Sequence, residues 1–196
     1  MNGSSNFPAW GLTIILLIME ARDGSLWFGG QHNGRAAISR FDGRAWMRYT
    51  EADGLSSTYV HGMTEWPAGT LWVGTEAGIS RLDLSAKPGE QTWWNKVDFP
   101  VSRPKVRKFL PTEDALWFAF LPNRDVGAVR YDGEEWRLFT EADGLVDGAV
   151  YGIVRGTDGA IWFATRGGLG RFDGESWSQY TEFAPFLGSG PILREM

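Results

Sequence analysis

The sequence predicts an all-β chain, a β-propeller of about four four-stranded blades with the start of a fifth. Three observations predict it. A Trp-centred string returns at a fixed period, each period holds four short apolar or aromatic runs, and Asp-Gly or Gly-rich turns separate the runs. Internal repeats of 40–50 residues built from four strands are the signature of propeller blades.

The anchor strings are SLWFGG, TLWVGT, ALWFAF and AIWFAT, with tryptophans at Trp27, Trp72, Trp117 and Trp162, successive ones 45 residues apart. Before each anchor runs an apolar first strand: TIILLIM at 13–19, TYVHGM at 58–63, KVRKFL at 105–110 and AVYGIV at 149–154. The anchor string is the second strand. A third follows at Arg40-Phe41-Asp42, Arg81-Leu82-Asp83, Arg130-Tyr131-Asp132 and Arg171-Phe172-Asp173, and a fourth at AWMRYT, TWWNKV, EWRLFT and SWSQYT. Runs of about five to six residues are ordinary strand length. Asp23-Gly24, Asp42-Gly43, Asp132-Gly133, Asp158-Gly159 and Asp173-Gly174 suit two-residue hairpin turns, which need positive φ. No apolar stripe of helical period runs through these segments.

The expected organisation is one propeller segment over residues 1–196, with blades at about 13–50, 58–98, 105–140 and 149–181. Residues 190–196, GPILREM, read as the first strand of a next blade. Gly29, Gly74, Ala119 and Ala164 hold one equivalent slot, where a small residue would let the adjacent sheet approach closely. All four anchor tryptophans are expected in the core between blades. Each would contribute on the order of 4–6 kcal/mol as an upper bound on area alone.

Composition narrows the function. The chain has 196 residues, 26 Gly, 11 Trp, no Cys and a formal net charge of −5. The acidic balance and the lack of a basic run speak against nucleic-acid binding. Absent cysteine removes thiol catalysis and Cys-ligated zinc. WGLTIILLIM at 10–19 has the apolar look of a signal-peptide core, but MNGSSNFPA before it lacks the Lys or Arg of an n-region, and the run is too short for a bilayer-spanning helix. A buried strand explains it better, and no membrane insertion by this segment is expected.

The ordered set G-x-LW-x-G-T, G-[LI]-x-R-[FLY]-D, W-x-x-[YF]-T and DGL, seen at Gly69 to Asp83 and Gly159 to Asp173, resembles the two-component regulator propeller repeat. The resemblance covers nearly the whole chain from about residue 13. It implies a seven-bladed ring of which this is a partial segment, in the extracytoplasmic sensor of bacterial histidine kinases, some of which respond to oligosaccharides. It also implies a periplasmic or extracellular location, and the remainder of a sensor kinase or other propeller blades as partners. Phe120 in place of Thr and Phe99-Pro100-Val101 in place of DGL are departures from the pattern. The streptogramin lyases share a similar G-x-IWF repeat, matched at Gly159 to Phe163.

Catalytic signals are sparse. No HExxH, GxSxG or P-loop occurs, and the histidines are His32 and His61. No cofactor and no metal site is expected. Asp53 and Asp143 in the repeated EADGL read as turn residues, and the Arg-x-Asp pairs as repeated ion pairs or turn braces. The irregularities of the repeat point to a site. The step from anchor Trp to third-strand Arg is 13 residues in units one and three but 9 in units two and four. The longer loops hold His32, Asn33 and Arg35, then Asn123, Arg124 and Asp125, and Tyr59, Tyr151 and Arg166 are plausible neighbours. Amide, guanidinium and aromatic groups on loops of a rigid scaffold suit a hydroxyl-rich small molecule such as an oligosaccharide. The expected function is therefore non-enzymatic ligand sensing. The alternatives are a lyase-like or carbohydrate-active enzyme and a protein-interaction scaffold.

Overall fold

A computed structural model describes residues 14–32, 35–50, 53–55, 59–85, 95–97, 99–101, 105–120 and 127–181. The described strands fall, in chain order, into four antiparallel sheets of four. The first is β1 (Ile14–Glu20), β2 (Leu26–His32), β3 (Arg35–Phe41) and β4 (Trp46–Tyr49), and the second β5 (Val60–Glu65), β6 (Thr70–Thr75), β7 (Gly78–Asp83) and β8 (Asn95–Lys96). The third is β9 (Val106–Pro111), β10 (Leu116–Phe120), β11 (Ala128–Tyr131) and β12 (Trp136–Phe139). The fourth is β13 (Val150–Arg155), β14 (Ile161–Thr165), β15 (Gly168–Phe172) and β16 (Trp177–Tyr180). These are the blades that the repeat predicts, and residues 190–196 lie outside the described residues. The chain divides into two compact units, residues 1–111 and 112–196.

The repeat fixes register as well as strand order. Ile15 pairs with Gly30, Val60 with Thr75 and Val150 with Thr165, and each first strand then carries a bulge before its next pair. A bulge at one place in each ladder bends the strand in the same way. Anchor tryptophans stack on the fourth strand of their own blade: Trp27 on Tyr49 at 5.5 Å, Trp117 on Phe139 at 5.3 Å and Trp162 on Tyr180 at 5.4 Å between ring centroids. The adjacent cross-strand pairs Phe41–Trp46, Tyr131–Trp136 and Phe172–Trp177 stack or tilt against each other at 4.8, 4.2 and 5.0 Å.

In the first unit, the small-residue slot does what its size suggests. A Cβ at Gly29 would sit 3.2 Å from Met63 and Val60 on β5, and one at Gly74 would sit 2.5 Å from the Val106 carbonyl oxygen on β9. The next first strand thus lies almost on the glycine backbone.

Three of the four anchors, Trp27, Trp72 and Trp117, are buried. Trp162 is not: it is half-buried, and Ala164 in the small-residue slot is exposed. The expectation that all four are core therefore fails at the fourth. The physical reason is that among the described residues no strand packs on the outer face of β14, whereas β5 and β9 cover the matching faces of β2 and β6. The expectation that the apolar run at 10–19 is a buried strand fails too, since β1 is largely exposed. Ile15 is 46% exposed, whereas Val60, in the same register position of the second blade, is 2% exposed.

Two turn expectations are also corrected. At Gly43, Gly133 and Gly174 the hairpins are two-residue turns, closed by Asp42, Asp132 and Asp173 N–H groups donating to the carbonyls of Ala45, Glu135 and Ser176. At Asp23-Gly24 and Asp158-Gly159 the loop is three residues long, because the closing bonds run from Ala21 to Ser25 and from Gly156 to Ala160. Gly24 and Gly159 take φ of 79° and 85°, the left-handed position of a three-residue hairpin.

Candidate functional site

The threonine of LWxGT, present in the second and fourth repeats, closes the turn between second and third strands. Thr75 Oγ1 donates to the Gly78 carbonyl at 3.0 Å, and Thr165 Oγ1 to the Gly168 carbonyl at 2.8 Å. Units one and three carry Gly30 and Phe120 in that slot, without the hydroxyl, and have the longer loops. The chemistry of one side chain thus tracks the loop length that marks the candidate site.

In the first unit His32 ends β2 and Arg35 opens β3, and the two are register partners flanking the loop. Tyr59, exposed, precedes β5, and its carbonyl accepts the Glu76 N–H at 3.2 Å. Beside it lie groups the sequence reading passed over as site residues. Glu76 Oε1 is 3.8 Å from His61 Nε2 and 3.7 Å from Lys105 Nζ. Burial pushes the His61 pKa down, against the pull of Glu76, with Lys105 and Arg107 adding to the downward shift. His61 Nε2 has no hydrogen-bond partner among the described residues.

In the second unit Arg166 holds the slot equivalent to Glu76. Its N–H donates to the Ala149 carbonyl at 3.1 Å, and its guanidinium donates to Asp147 Oδ2 at 2.9 Å. Asp147 is buried and also accepts the Ala149 N–H at 2.8 Å. Val150 pairs with Thr165, Arg166 lies opposite Ala149 beyond that pair, and Tyr151 is the bulge residue on its other side. Tyr151 is exposed. Asn33 and Asn123, Arg124 and Asp125 lie outside the described residues. The signal that would have found Glu76 and Asp147 was present: both follow from reading the slot after LWxGT across units, and the blade-to-blade segment that meets it.

At the other end of the blades the Arg-x-Asp strings form ion pairs at 130/132 and 171/173, as their spacing suggests, and the arginines also reach a nearer carboxylate from the first hairpin. Arg40 donates to Asp23 at 2.7 Å, Arg130 to Asp114 at 2.9 Å and to Asp132 at 3.1 Å, and Arg171 to Asp158 at 2.7 Å, with Asp173 more distant at 3.7 Å. The closest partner is the carboxylate of the first hairpin, brought opposite by strand pairing. Asp42, Asp132 and Asp173 also accept backbone N–H groups of their own turns. Those N–H donors, first from Ser176, then from Glu175, hold the Asp173 pKa down to about 2. EADGL is a turn as expected: Thr140 donates its N–H and hydroxyl to Asp143 Oδ2 at 2.8 and 3.0 Å, and Asp53 accepts the same pair from Thr50.

Among the described residues no group of three or more His, Cys, Asp or Glu is placed to hold a metal ion, and no helix is long and apolar enough to cross a membrane.

No family model matches the chain, and no curated protein matches it. Solved structures do. The extracellular domain of a hybrid two-component system of B. thetaiotaomicron superposes with a TM-score of 0.64 at 20% identity, over 85% of this chain and 23% of that one. A second extracellular domain from the same organism, described as a one-component system, gives 0.65 at 20% identity, over 85% and 21%. The chain carries the propeller fold of these domains. PorZ, a surface component of the type-IX secretion system of Porphyromonas gingivalis, is similar at 0.61 and 16% identity, over 83% of this chain and 26% of its own. The chain therefore spans only about a quarter of the length of these three solved proteins.

Proposed function

We propose that this chain is a ligand-sensing propeller segment of the extracytoplasmic sensor region of a bacterial two-component system. It acts without catalysis and recognises a hydroxyl-rich ligand of the oligosaccharide class. The observation that carries the reading is the departure from the repeat at one end of the blades. In each unit one Thr-closed turn gives way to a longer loop, with Tyr59 next to β5 in the first unit and Tyr151 and the Arg166–Asp147 pair next to β13 in the second. Aromatic faces and guanidinium donors are the groups that hold sugar rings and their hydroxyls. The resemblance of the repeat and the extracellular sensor-system neighbours supply the context.

The partners of the segment are further propeller blades. Ile15, Ile18 and the outer face of β14 with Ala164 and Trp162 stand uncovered, although the same positions are covered elsewhere in the chain. A blade of the same repeat has the matching surface.

Calorimetric titration with a panel of neutral oligosaccharides tests the site. Binding by the intact chain and a loss of about tenfold or more in Arg166→Ala and in Arg124→Ala is the expected result. Affinity unchanged in both variants would remove the loop end as the site.

A further inference from the structure

The junction between the third and fourth blades, within the second unit, contains a cleft of about 600 Å³ at the end opposite Arg166. It falls in the size range of small-molecule sites. The repeat says what ought to fill it. In the first unit, the equivalent position between the first two blades is closed by Met47 and Leu84, which pack on the core of Trp27, Tyr49, Leu71 and Leu82. Glu65 completes that closure by accepting the N–H groups of Arg22 at 2.6 Å and Gly69 at 2.7 Å. Counting from the anchor tryptophans, the residues in those three slots of the second unit are Arg137, Gly174 and Arg155. A thioether, an isobutyl group and a carboxylate have been replaced by two guanidiniums and a hydrogen.

The two arginines are free to bind. Arg137 lies over the Phe139 ring, 4.6 Å from its centroid, and Arg155 lies beside Gly159. Among the described residues neither has a hydrogen-bond or ion-pair partner, and both are exposed. The third arginine of the lining, Arg130, is already paired with Asp114 and Asp132. The cleft floor is Trp117, Phe139, Ile161 and Phe172, and its rim carries the carboxylates of Glu113, Asp114 and Asp173. Asp173 is occupied by its turn N–H groups.

We propose that this cleft binds a hydroxylated monocarboxylate of sugar-acid type, its carboxylate between Arg137 and Arg155 and its hydroxyls donating to the rim carboxylates. Guanidinium recognises carboxylate and phosphate alike through paired N–H donors. The rim decides between them. Asp114 is compensated by Arg130, but Glu113 and Asp173 add negative charge that disfavours a dianion such as phosphate, and carboxylate oxygens accept hydrogen bonds from hydroxyls, so a single negative charge on a polyhydroxylated body matches the whole lining. The site is separate from the loop end of the preceding section and stands or falls independently of it.

D-glucuronate is the probe, with glucose and inorganic phosphate as controls, titrated into the full chain at low ionic strength. The expected result is glucuronate binding that weakens with added salt, with glucose and phosphate at least about tenfold weaker. Arg137→Met with Arg155→Glu restores the side chains that close the first junction, so the fold has a precedent for both. This pair should abolish glucuronate binding while the thermal unfolding midpoint is retained. Arg155→Gln, a single change at an exposed position, should weaken binding by about tenfold and serves if the double variant unfolds. Glucose or phosphate binding as well as glucuronate, no binding up to about 10 mM, or binding lost in Arg166→Ala but intact in the arginine variants of the cleft would each overturn the proposal.

Discussion

Two blade junctions, that of the first two blades and that of the last two, are built on the same floor and finished differently. Each buries an anchor tryptophan stacked on the aromatic of its own fourth strand, Trp27 on Tyr49 and Trp117 on Phe139. Above that floor the first is sealed by Met47, Leu84 and Glu65, and the second is left open under Arg137, Gly174 and Arg155. Stability is therefore held in the floor, where the residue type repeats, and any capacity to bind lies above it, where the residue type changes. A propeller can vary the upper positions of one junction while its core stays the same.

The largest effect should come from breaking the shared floor. Trp27→Ala and Trp117→Ala should each cost about 3–5 kcal/mol in denaturant unfolding, because both rings are buried. Trp162→Ala should cost clearly less, about 1–2 kcal/mol, since part of that ring already meets water. Equal losses at all three would show that the fourth anchor is covered in solution. A loss of about 1–3 kcal/mol is expected for Gly74→Ala, where the new methyl meets the Val106 carbonyl oxygen of the neighbouring strand. Gly29→Ala should be milder, because its nearest neighbours are the flexible end of Met63 and a Val60 methyl.

The smallest effect is on acid sensitivity at the rim of the open junction. The turn N–H groups of Ser176 and Glu175 hold Asp173 down to about 2 from its ordinary 3.8. A carboxylate depressed on folding adds stability that is complete above its unfolded pKa and is lost as pH falls through the folded value. Asp173 should therefore contribute to destabilisation between about pH 4 and pH 2. Its counterpart in the sealed junction, Asp83, is lowered by the Ser85 hydroxyl and N–H, so it should act in the same direction. Asp173→Asn should flatten the fall in unfolding midpoint over that window, and an unaltered acid profile would show that the brace is not formed in solution.

Much of the fold was legible in the sequence because a repeat states its own register. The 45-residue step placed every first and second strand, and the Gly or Ala slot foretold the close approach at Gly29 and Gly74. The EADGL turns followed from local Asp chemistry. Pairings across a hairpin were harder. Arg40 lies two residues from Asp42 in sequence but bonds Asp23, because antiparallel pairing brings the first turn opposite the third strand. Burial at the ends of the array was not readable either, since Trp162 has the same local sequence as its buried counterparts. The cleft escaped notice for a related reason. It results from what Arg137 and Gly174 fail to fill, and that becomes visible only when Met47 and Leu84 are seen packed in the same slots. Of the residues expected at the loop end, Arg166, Tyr151, Tyr59, His32 and Arg35 are placed at loop or strand ends, and the argument for Asn33 and Asn123 to Asp125 still rests on spacing alone.

The small-residue slot also bears on how the molecule comes apart. At Gly74 the constraint belongs to the contact with β9 and not to the strand that carries the glycine. A change there would leave the intrinsic stability of its own sheet nearly intact and weaken the coupling to the next. Where one blade packs on the next through such a contact, coupling strength sets how far an opening event spreads. Amide hydrogen exchange in a Gly74→Ala chain should then lose its sharp cooperativity before it loses protection, with β5–β7 exchanging out of step with β9.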